Sequence, residues 1–232
     1  MVLTEEGFVF DPTELRLTVA DAGEVAALLL RPPNARGLLV LGHGAGAGMR
    51  HPFLETLSGE FATAGMATLR YQFPYMQRGH RVPDSSGILT ATVRAAVRAA
   101  AEAAPELPLL AGGKSLGARM TSLAASRAPL ERVRGLVFFG FPLHPPERPG
   151  TQRAEHLMQV ELPMLFLEGT RDSFADLSLL RPVCEKLGAR ATLHVVETAD
   201  HSFHVLKRSG KTDPEILHEL ARMVVDWAET IG

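Results

Sequence analysis

The length, composition and charge of the chain exclude several classes of protein. With 232 residues, of which 46% are hydrophobic and 22% charged, it has the composition of an ordinary globular protein that buries most of the surface of its unfolded chain. A formal net charge of −2 gives no reason to expect a nucleic-acid partner, and the lone Cys184 excludes an internal disulfide and a cysteine-based zinc site.

The N-terminal residues carry no sign of a targeting segment. Residues 1–6 are acidic and lack the basic flank and apolar stretch of a secretory signal. The apolar residues Leu28 to Leu30 are followed by Arg31, so this run stays well short of the roughly 18 residues that a membrane span requires. We therefore expect a single cytoplasmic domain over residues 1–232, with neither a membrane nor a nucleic acid among its partners.

Short apolar runs recur along the chain and predict the strands. Three runs near the N-terminus, residues 8–10, 15–19 and 25–30, are interpreted as antiparallel lead-in strands. Five later runs are apolar nearly throughout, which is typical of strands buried on both faces of a parallel sheet. They are residues 37–41, 107–111, 135–139, 163–167 and 192–196, with residues 66–70 as a sixth and weaker candidate.

The segments between these runs have helical spacing. Leu89, Val93 and Val97 stand four residues apart, and Leu116 and Met120 begin a similar stripe. Strands that alternate with helices indicate an α/β fold, with a mostly parallel, doubly wound sheet and helices on both of its faces.

A final helix is predicted near the C-terminus. Asp213 is the predicted N-cap and Pro214 the first helical residue, where a missing N–H costs nothing. The predicted buried stripe of this helix is Ile216, Leu220, Val224 and Trp227. Residues 141–162 hold four prolines, and this segment is too short and too broken for a separate cap domain.

Residues 113–117 read G-K-S-L-G, directly after a predicted strand and directly before a predicted helix. A G-x-S-x-G in this context is typical of a nucleophile elbow, which holds a serine in a strained turn at the end of a strand. Small residues at both ends let strand and helix approach closely. Ser115 is therefore the candidate nucleophile, although a glycine-rich turn with a solvated serine would show the same five letters.

A serine hydroxyl attacks poorly without a base, and the base needs an acid to fix its tautomer. Asp172 and His201 follow the last two predicted strands, in the chain order serine, acid, histidine that α/β-hydrolases use. Loops after parallel strands meet at one edge of the sheet, where the elbow also projects. The sequence therefore predicts a catalytic triad of Ser115, His201 and Asp172.

Other residues compete for the same roles. His204 is the rival base, and Asp176, Asp200 and Glu168 are rival acids. Asp172 is preferred because it stands at the tip of its loop.

Residues 43–46 read H-G-A-G after the strand at 37–41, a pattern that supplies backbone donors to an oxyanion hole. The predicted donors are the N–H of Leu116, which follows the nucleophile, and that of Ala45 or Gly46. His43 is expected to hold the turn by a side-chain hydrogen bond rather than to act as a base.

Two further patterns imitate nucleotide-binding motifs. A phosphate-binding loop ending at Ser115 would need glycine at position 108, where Pro108 stands. Gly42, Gly44 and Ala47 resemble a dinucleotide fingerprint, but that interpretation leaves the serine, aspartate and histidine unexplained.

Cationic side chains adjoin the same strand ends, and they could hold a carboxylate or phosphate of the substrate. They are Arg50, Arg70, Arg78, Arg81, Lys114 and Arg171. Arg78 and Arg81, together with Gly46, are the predicted substrate contacts. The alternative is that the cations pair with Glu55, Asp84 or Glu168, or are solvated at the rim.

Taken together, these motifs resemble those of the α/β-hydrolases close to the dienelactone hydrolase family. The matching motifs are H-G-A-G at residues 43–46 with Met49, H-P-F at 51–53, F-P-Y at 73–75, G-K-S-L-G-A-R at 113–119, G-T-R-D at 169–172 and D-H-S-F at 200–203. The resemblance implies a serine hydrolase without a large lid and assigns its triad to Ser115, Asp172 and His201. Dienelactone hydrolase itself uses a cysteine nucleophile, so the resemblance does not by itself imply the same substrate for this chain.

The sequence thus predicts a serine hydrolase that cleaves a carboxylic ester, thioester or lactone of small size through an acyl-enzyme. Neither a metal nor an organic cofactor is expected. The alternative is a non-catalytic binding or scaffold protein on the same fold. The intact triad and oxyanion glycines favour the enzyme, because a protein without catalytic activity would not need to keep these residues.

Overall fold

The computed structural model describes residues 2–3 and 9–231 of the chain. Phe8, with which the first predicted strand begins, lies outside the described residues. The strands are β1 (Val2–Leu3), β2 (Val9–Phe10), β3 (Thr13–Val19), β4 (Gly23–Leu30), β5 (Leu38–Gly42), β6 (Ala67–Tyr71), β7 (Leu109–Lys114), β8 (Val133–Phe139), β9 (Met164–Gly169) and β10 (Ala191–Val196). The helices are α1 (Pro52–Thr63), α2 (Pro74–Gln77), α3 (Ser86–Ala103), α4 (Leu116–Arg127), α5 (Leu177–Leu187) and α6 (Asp213–Thr230).

Eight of these strands form one sheet in the order β10-β9-β8-β7-β5-β6-β4-β3. The strands from β5 to β10 run parallel, whereas β3 pairs with β4, and β4 with β6, antiparallel. β1 and β2 form a separate antiparallel pair. The predicted fold class is confirmed: a mostly parallel sheet with antiparallel lead-in strands, covered by helices on both faces.

Alternate residues of the central strands enter two different cores. In β5, Leu38 and Val40 pack on one side of the sheet, against a core that includes residues of α3, α4 and α5. Leu39 and Leu41 pack on the other side, with residues of α1 and α6. Because both faces are covered, these strands are apolar throughout rather than alternating.

The start of α6 differs from the prediction. Thr212 is the N-cap and forms a capping box with Glu215, whose side chain accepts from the Thr212 N–H at 2.7 Å. The Asp213 carboxylate instead accepts from the Val205 N–H at 3.0 Å. Asp213 as N-cap was therefore wrong, because a contact with the preceding loop occupies its side chain. The predicted stripe of Ile216, Leu220, Val224 and Trp227 is buried, as expected.

The proline-rich segment between β8 and β9 contains a short 3-10 helix, Gln152–Gln159, that packs on α4. It forms no separate cap, in agreement with the prediction. Among the described residues, no helix is long and apolar enough to cross a membrane.

Candidate active site

The turn from β7 into α4 places Ser115 at the carboxyl edge of the sheet. Its backbone has φ 51° and ψ −108°, outside the regions that L residues favour. A Cβ atom on Gly113 would lie 2.5 Å from the carbonyl oxygen of Gly42, and one on Gly117 would overlap the same carbonyl. Glycine at both positions is therefore what allows β7, α4 and the end of β5 to meet and to present Ser115.

Backbone contacts tie together the loops after β9 and β10. The Arg171 N–H donates to the Ala199 carbonyl at 2.8 Å, and the Thr198 N–H donates to the Thr170 hydroxyl at 2.8 Å. These bonds bring Asp172, on the first loop, next to His201, on the second.

Ser115, His201 and Asp172 form one chain of hydrogen bonds. His201 Nε2 lies 2.9 Å from Ser115 Oγ, and His201 Nδ1 lies 2.6 Å from Asp172 Oδ2. The Asp172 side chain is 1% exposed and that of His201 19%. With the Nδ1 proton donated to the carboxylate, the Nε2 lone pair is free to accept the serine proton.

Asp172 and His201 are themselves held in place. Asp172 Oδ1 accepts from the Phe174 N–H at 2.7 Å. The ring of Phe174 lies 4.5 Å from the His201 ring, with 37° between their planes. Phe174 carried no signal in the sequence, and only the folded loop shows that it covers the imidazole.

The rival residues have other partners. His204 pairs with Asp213 at 2.8 Å and is 62% exposed, and that hydrogen bond raises its pKa. Asp176 caps α5 by accepting from the Ser178 N–H at 2.8 Å. Asp200 accepts from the N–H groups of Ser202 and His204, at 2.8 and 3.1 Å, which shapes the loop around His201. The buried Glu168 accepts from the Phe141 N–H at 2.6 Å.

A second serine–histidine contact joins α4 to the 3-10 helix. Ser122 Oγ lies 2.8 Å from His156 Nε2 and donates to the Arg119 carbonyl at 3.0 Å. Burial, together with the charges of Arg119 and Arg127, lowers the pKa of His156 to about 4. Among the described residues no carboxylate bonds to His156, so this contact lacks the third member of a triad.

The loop after β5 lies against the elbow. His43 is buried, with Nδ1 2.7 Å from the Gly44 carbonyl, and Nε2 accepts from the Phe73 N–H at 3.1 Å. Burial lowers the pKa of His43 to about 4, so the ring is neutral, and its expected structural role is confirmed. A Cβ atom on Gly44 would lie 3.8 Å from Ser115 Cβ.

The predicted oxyanion donors differ in their partners. The Gly46 N–H donates to the Tyr75 hydroxyl at 3.0 Å, which occupies this donor and orders the loop. Leu116 is the first residue of α4, where an N–H has no partner within the helix. This leaves Leu116 and Ala45 as the better pair of donors, and their role stays a prediction. Tyr75 was missed in the sequence, although it belongs to the F-P-Y motif.

The predicted cationic residues do not form one cluster. Arg78 pairs with Asp84 at 2.5 Å, Arg50 with Glu14 at 2.5 Å, and the buried Arg70 with Glu55 at 3.6 Å. Arg171 donates to the Thr198 carbonyl at 2.9 Å, and Arg81 is exposed. Arg70 and Arg78 thus take the alternative partners that the sequence offered. Across residues 2–3 and 9–231, no group of three or more His, Cys, Asp or Glu side chains could hold a metal ion.

Comparisons with known proteins identify the family and the fold. The model of a family described as alpha/beta hydrolase domain matches residues 35–229. A dienelactone hydrolase from Anabaena variabilis is 21% identical, with a TM-score of 0.71 over 94% of this chain and 97% of that one. An α/β serine hydrolase without lid from Xanthomonas campestris is 19% identical, with a TM-score of 0.73 over 95% and 96%. An esterase from Pyrococcus furiosus is 13% identical, with a TM-score of 0.69 over 92% and 93%. At these identities the likeness is one of fold.

Proposed function

Because the chain belongs to the α/β-hydrolase family, we propose that it is a serine hydrolase that cleaves a carboxylic ester, thioester or lactone through an acyl-enzyme. One observation carries the proposal: the unbroken chain of hydrogen bonds from Asp172 through His201 to Ser115, at a nucleophile elbow. An esterase and a dienelactone hydrolase are among the chains of similar fold, which favours a carboxylic ester as the substrate.

The geometry supports a two-step reaction. His201 Nε2 takes the proton of Ser115 as Oγ attacks the ester carbonyl, and Asp172 stabilises the imidazolium that forms. The N–H groups of Leu116 and Ala45 bind the developing oxyanion. His201 then delivers its proton to the leaving alcohol, and water attacks the acyl-enzyme by the same route in reverse.

We propose that residues 1–232 form one α/β-hydrolase domain, since β3 to β10 share one sheet and α6 packs against α1. We also propose that this domain works in the cytoplasm, on the basis of the sequence alone.

Kinetics with a p-nitrophenyl ester test the proposed function. Ser115→Ala should lower kcat by roughly 10⁴-fold or more, because both steps need the serine oxygen. Ser122→Ala is the matched control, since it removes the serine of the other serine–histidine contact and should leave turnover nearly unchanged. A Ser115→Ala protein that keeps more than about a tenth of wild-type turnover would refute the assignment.

A further inference from the structure

A buried lysine and a buried glutamate, Lys114 and Glu168, lie against the His201–Asp172 pair, and the triad mechanism uses neither of them. Lys114 directly precedes the candidate nucleophile, and Glu168 is the second-last residue of β9. Burying such groups is costly unless other interactions compensate, so their position beside the triad needs a reason.

The Lys114 side chain ends next to the His201 ring. A Cβ atom on Gly140 would lie 2.9 Å from Lys114 Nζ and 3.2 Å from both Nδ1 and Cε1 of His201, so the ammonium and the imidazole flank the same glycine. The centroids of the Phe53 and Phe203 rings lie 5.9 and 5.7 Å from Nζ. Nζ is fully buried and has no hydrogen-bond partner among the described residues.

Glu168 fixes the turn on which the imidazole rests. Its Oε1 accepts from the Phe141 N–H at 2.6 Å, and the Gly140 N–H donates to the Leu167 carbonyl at 2.9 Å. Both bonds hold the Gly140–Phe141 turn to β9. Gly140 has φ +66°, and a side chain there would press on the His201 ring, so the turn sets how close the ring can approach.

Burial shifts the pKa values of both groups. Burial, and next the negative charge of Asp172, raises the pKa of Glu168 well above its usual value, which favours the protonated form. Burial lowers the pKa of Lys114 to about 8, against the opposing effect of nearby negative charge, that of Asp172 first. Lys114 is then the cation of this pocket, and it faces Asp172 and Glu168 from β9 and its loop, and Asp200 and His201 from the loop after β10.

We propose that Lys114 and Glu168 are positioning residues for His201: Glu168 holds the Gly140–Phe141 turn against the imidazole, and Lys114 places a positive charge beside it. The inference rests on the proposed hydrolase function. A cation next to the ring disfavours the charge of the protonated imidazole, whereas the Asp172 carboxylate, 2.6 Å from Nδ1, favours it. Lys114 therefore acts against Asp172 on the acid limb of the activity profile.

The pH profile of kcat/KM for a p-nitrophenyl ester tests the role of Lys114. Lys114→Met removes the charge, so the midpoint of the acid limb should move up by about one pH unit. Lys186→Met, at an exposed position on α5, is the matched control and should keep the wild-type profile. An acid limb that stays in place, or that moves to lower pH, in a folded Lys114→Met protein overturns the role. If Lys114→Met does not fold, Lys114→Gln carries the same expectation.

Paired variants test the role of Glu168. Glu168→Leu removes the acceptor for the Phe141 N–H and should lower kcat about tenfold or more with little change in KM, because the imidazole loses its support. Glu168→Gln keeps a neutral acceptor and should restore most of kcat. A folded Glu168→Leu protein with wild-type kcat, or a Glu168→Gln protein as slow as Glu168→Leu, overturns the role.

A spectroscopic measurement separates failure of this inference from failure of the proposed function. If the wild-type protein hydrolyses no ester, the proposed function fails, and the inference can still be tested on the ¹H and ¹⁵N resonances of the His201 ring. The pH at which the ring gains its second proton should be about one unit higher in Lys114→Met than in wild type. Equal titration midpoints in the two proteins overturn it.

Discussion

The hydroxyl of Ser115 reaches His201 because its own backbone is held in an unfavourable conformation. A non-glycine residue with φ 51° and ψ −108° costs on the order of 1–3 kcal/mol, and it persists only where its surroundings enforce it. Here the Ser115 N–H donates to the Phe139 carbonyl at 3.1 Å, and the Arg119 N–H donates to the Ser115 carbonyl at 3.1 Å. Strain at the nucleophile is therefore offset by hydrogen bonds from the neighbouring strand and helix.

Asp172→Asn should test the acid of the triad. The amide keeps the shape of the carboxylate but favours the wrong imidazole tautomer, so kcat should fall by up to roughly 10⁴-fold while the fold is retained. The measurement is kcat for a p-nitrophenyl ester at a pH on the plateau of the wild-type profile.

Asp176→Asn is the control for this prediction, since Asp176 caps α5 and stands close to Asp172 in the chain. It should change neither turnover nor stability by much, because asparagine caps a helix about as well as aspartate. A loss of comparable size in Asp176→Asn, with Asp172→Asn unaffected, would move the role of the acid to Asp176.

Among the secondary-structure elements, the close approach of β5, β7 and α4 builds the elbow. The prediction from Gly117 is that Gly117→Ala lowers the free energy of unfolding by at least about 2 kcal/mol, because its new methyl group would overlap the Gly42 carbonyl. Thermal or denaturant unfolding measures this loss, and activity should fall with it, since β5 carries the oxyanion loop.

Gly87→Ala is the matched control for Gly117→Ala. A Cβ atom at Gly87 meets only the Ser85 hydroxyl, at 3.7 Å, and Gly87 lies in the first turn of α3. Its substitution should leave stability unchanged or raise it slightly. Equal losses of unfolding free energy in the two variants would show that the tight contact at Gly117 is not what makes its substitution destabilising.

The elements that could be predicted are those with a local cause. Apolar runs in the sequence indicate the buried strands. Glycines on both sides of Ser115 indicate the elbow. The cap of α6 could not be assigned in this way, because Thr212 and Asp213 are both good capping residues. A contact from Val205, outside the helix, decides between them by occupying Asp213.

For the molecule as a whole, salt bridges between arginines and carboxylates weaken the electrostatic attraction of an anionic substrate. Arg50 and Arg78 are paired with carboxylates, so we expect an ester with a terminal carboxylate and its methyl counterpart to react at rates within about threefold of each other at low salt. A strong preference for the anionic ester that fades with salt and weakens in Arg78→Ala or Arg81→Ala would instead support the substrate contacts predicted from the sequence.

The order of residues along the chain predicts the three candidate triad residues but not the side chains around them. Ser115, Asp172 and His201 follow three parallel strands, and the sheet brings such loops to one edge. The surroundings of the triad depend on contacts between distant segments. Lys114 folds back beside His201 because Gly140 leaves room, and Glu168 on β9 reaches Phe141 just after the neighbouring strand β8, so neither position has a local signature.

Labelling with a fluorophosphonate probe tests most directly whether the site is an active serine hydrolase rather than a scaffold. The folded wild-type protein should take up one equivalent of probe, and peptide mass spectrometry should place it on Ser115. Heat-denatured protein and Ser115→Ala should remain unlabelled, whereas Ser122→Ala should label like wild type. A folded wild-type protein that takes up no probe, or that carries it on a serine other than Ser115, would contradict the account.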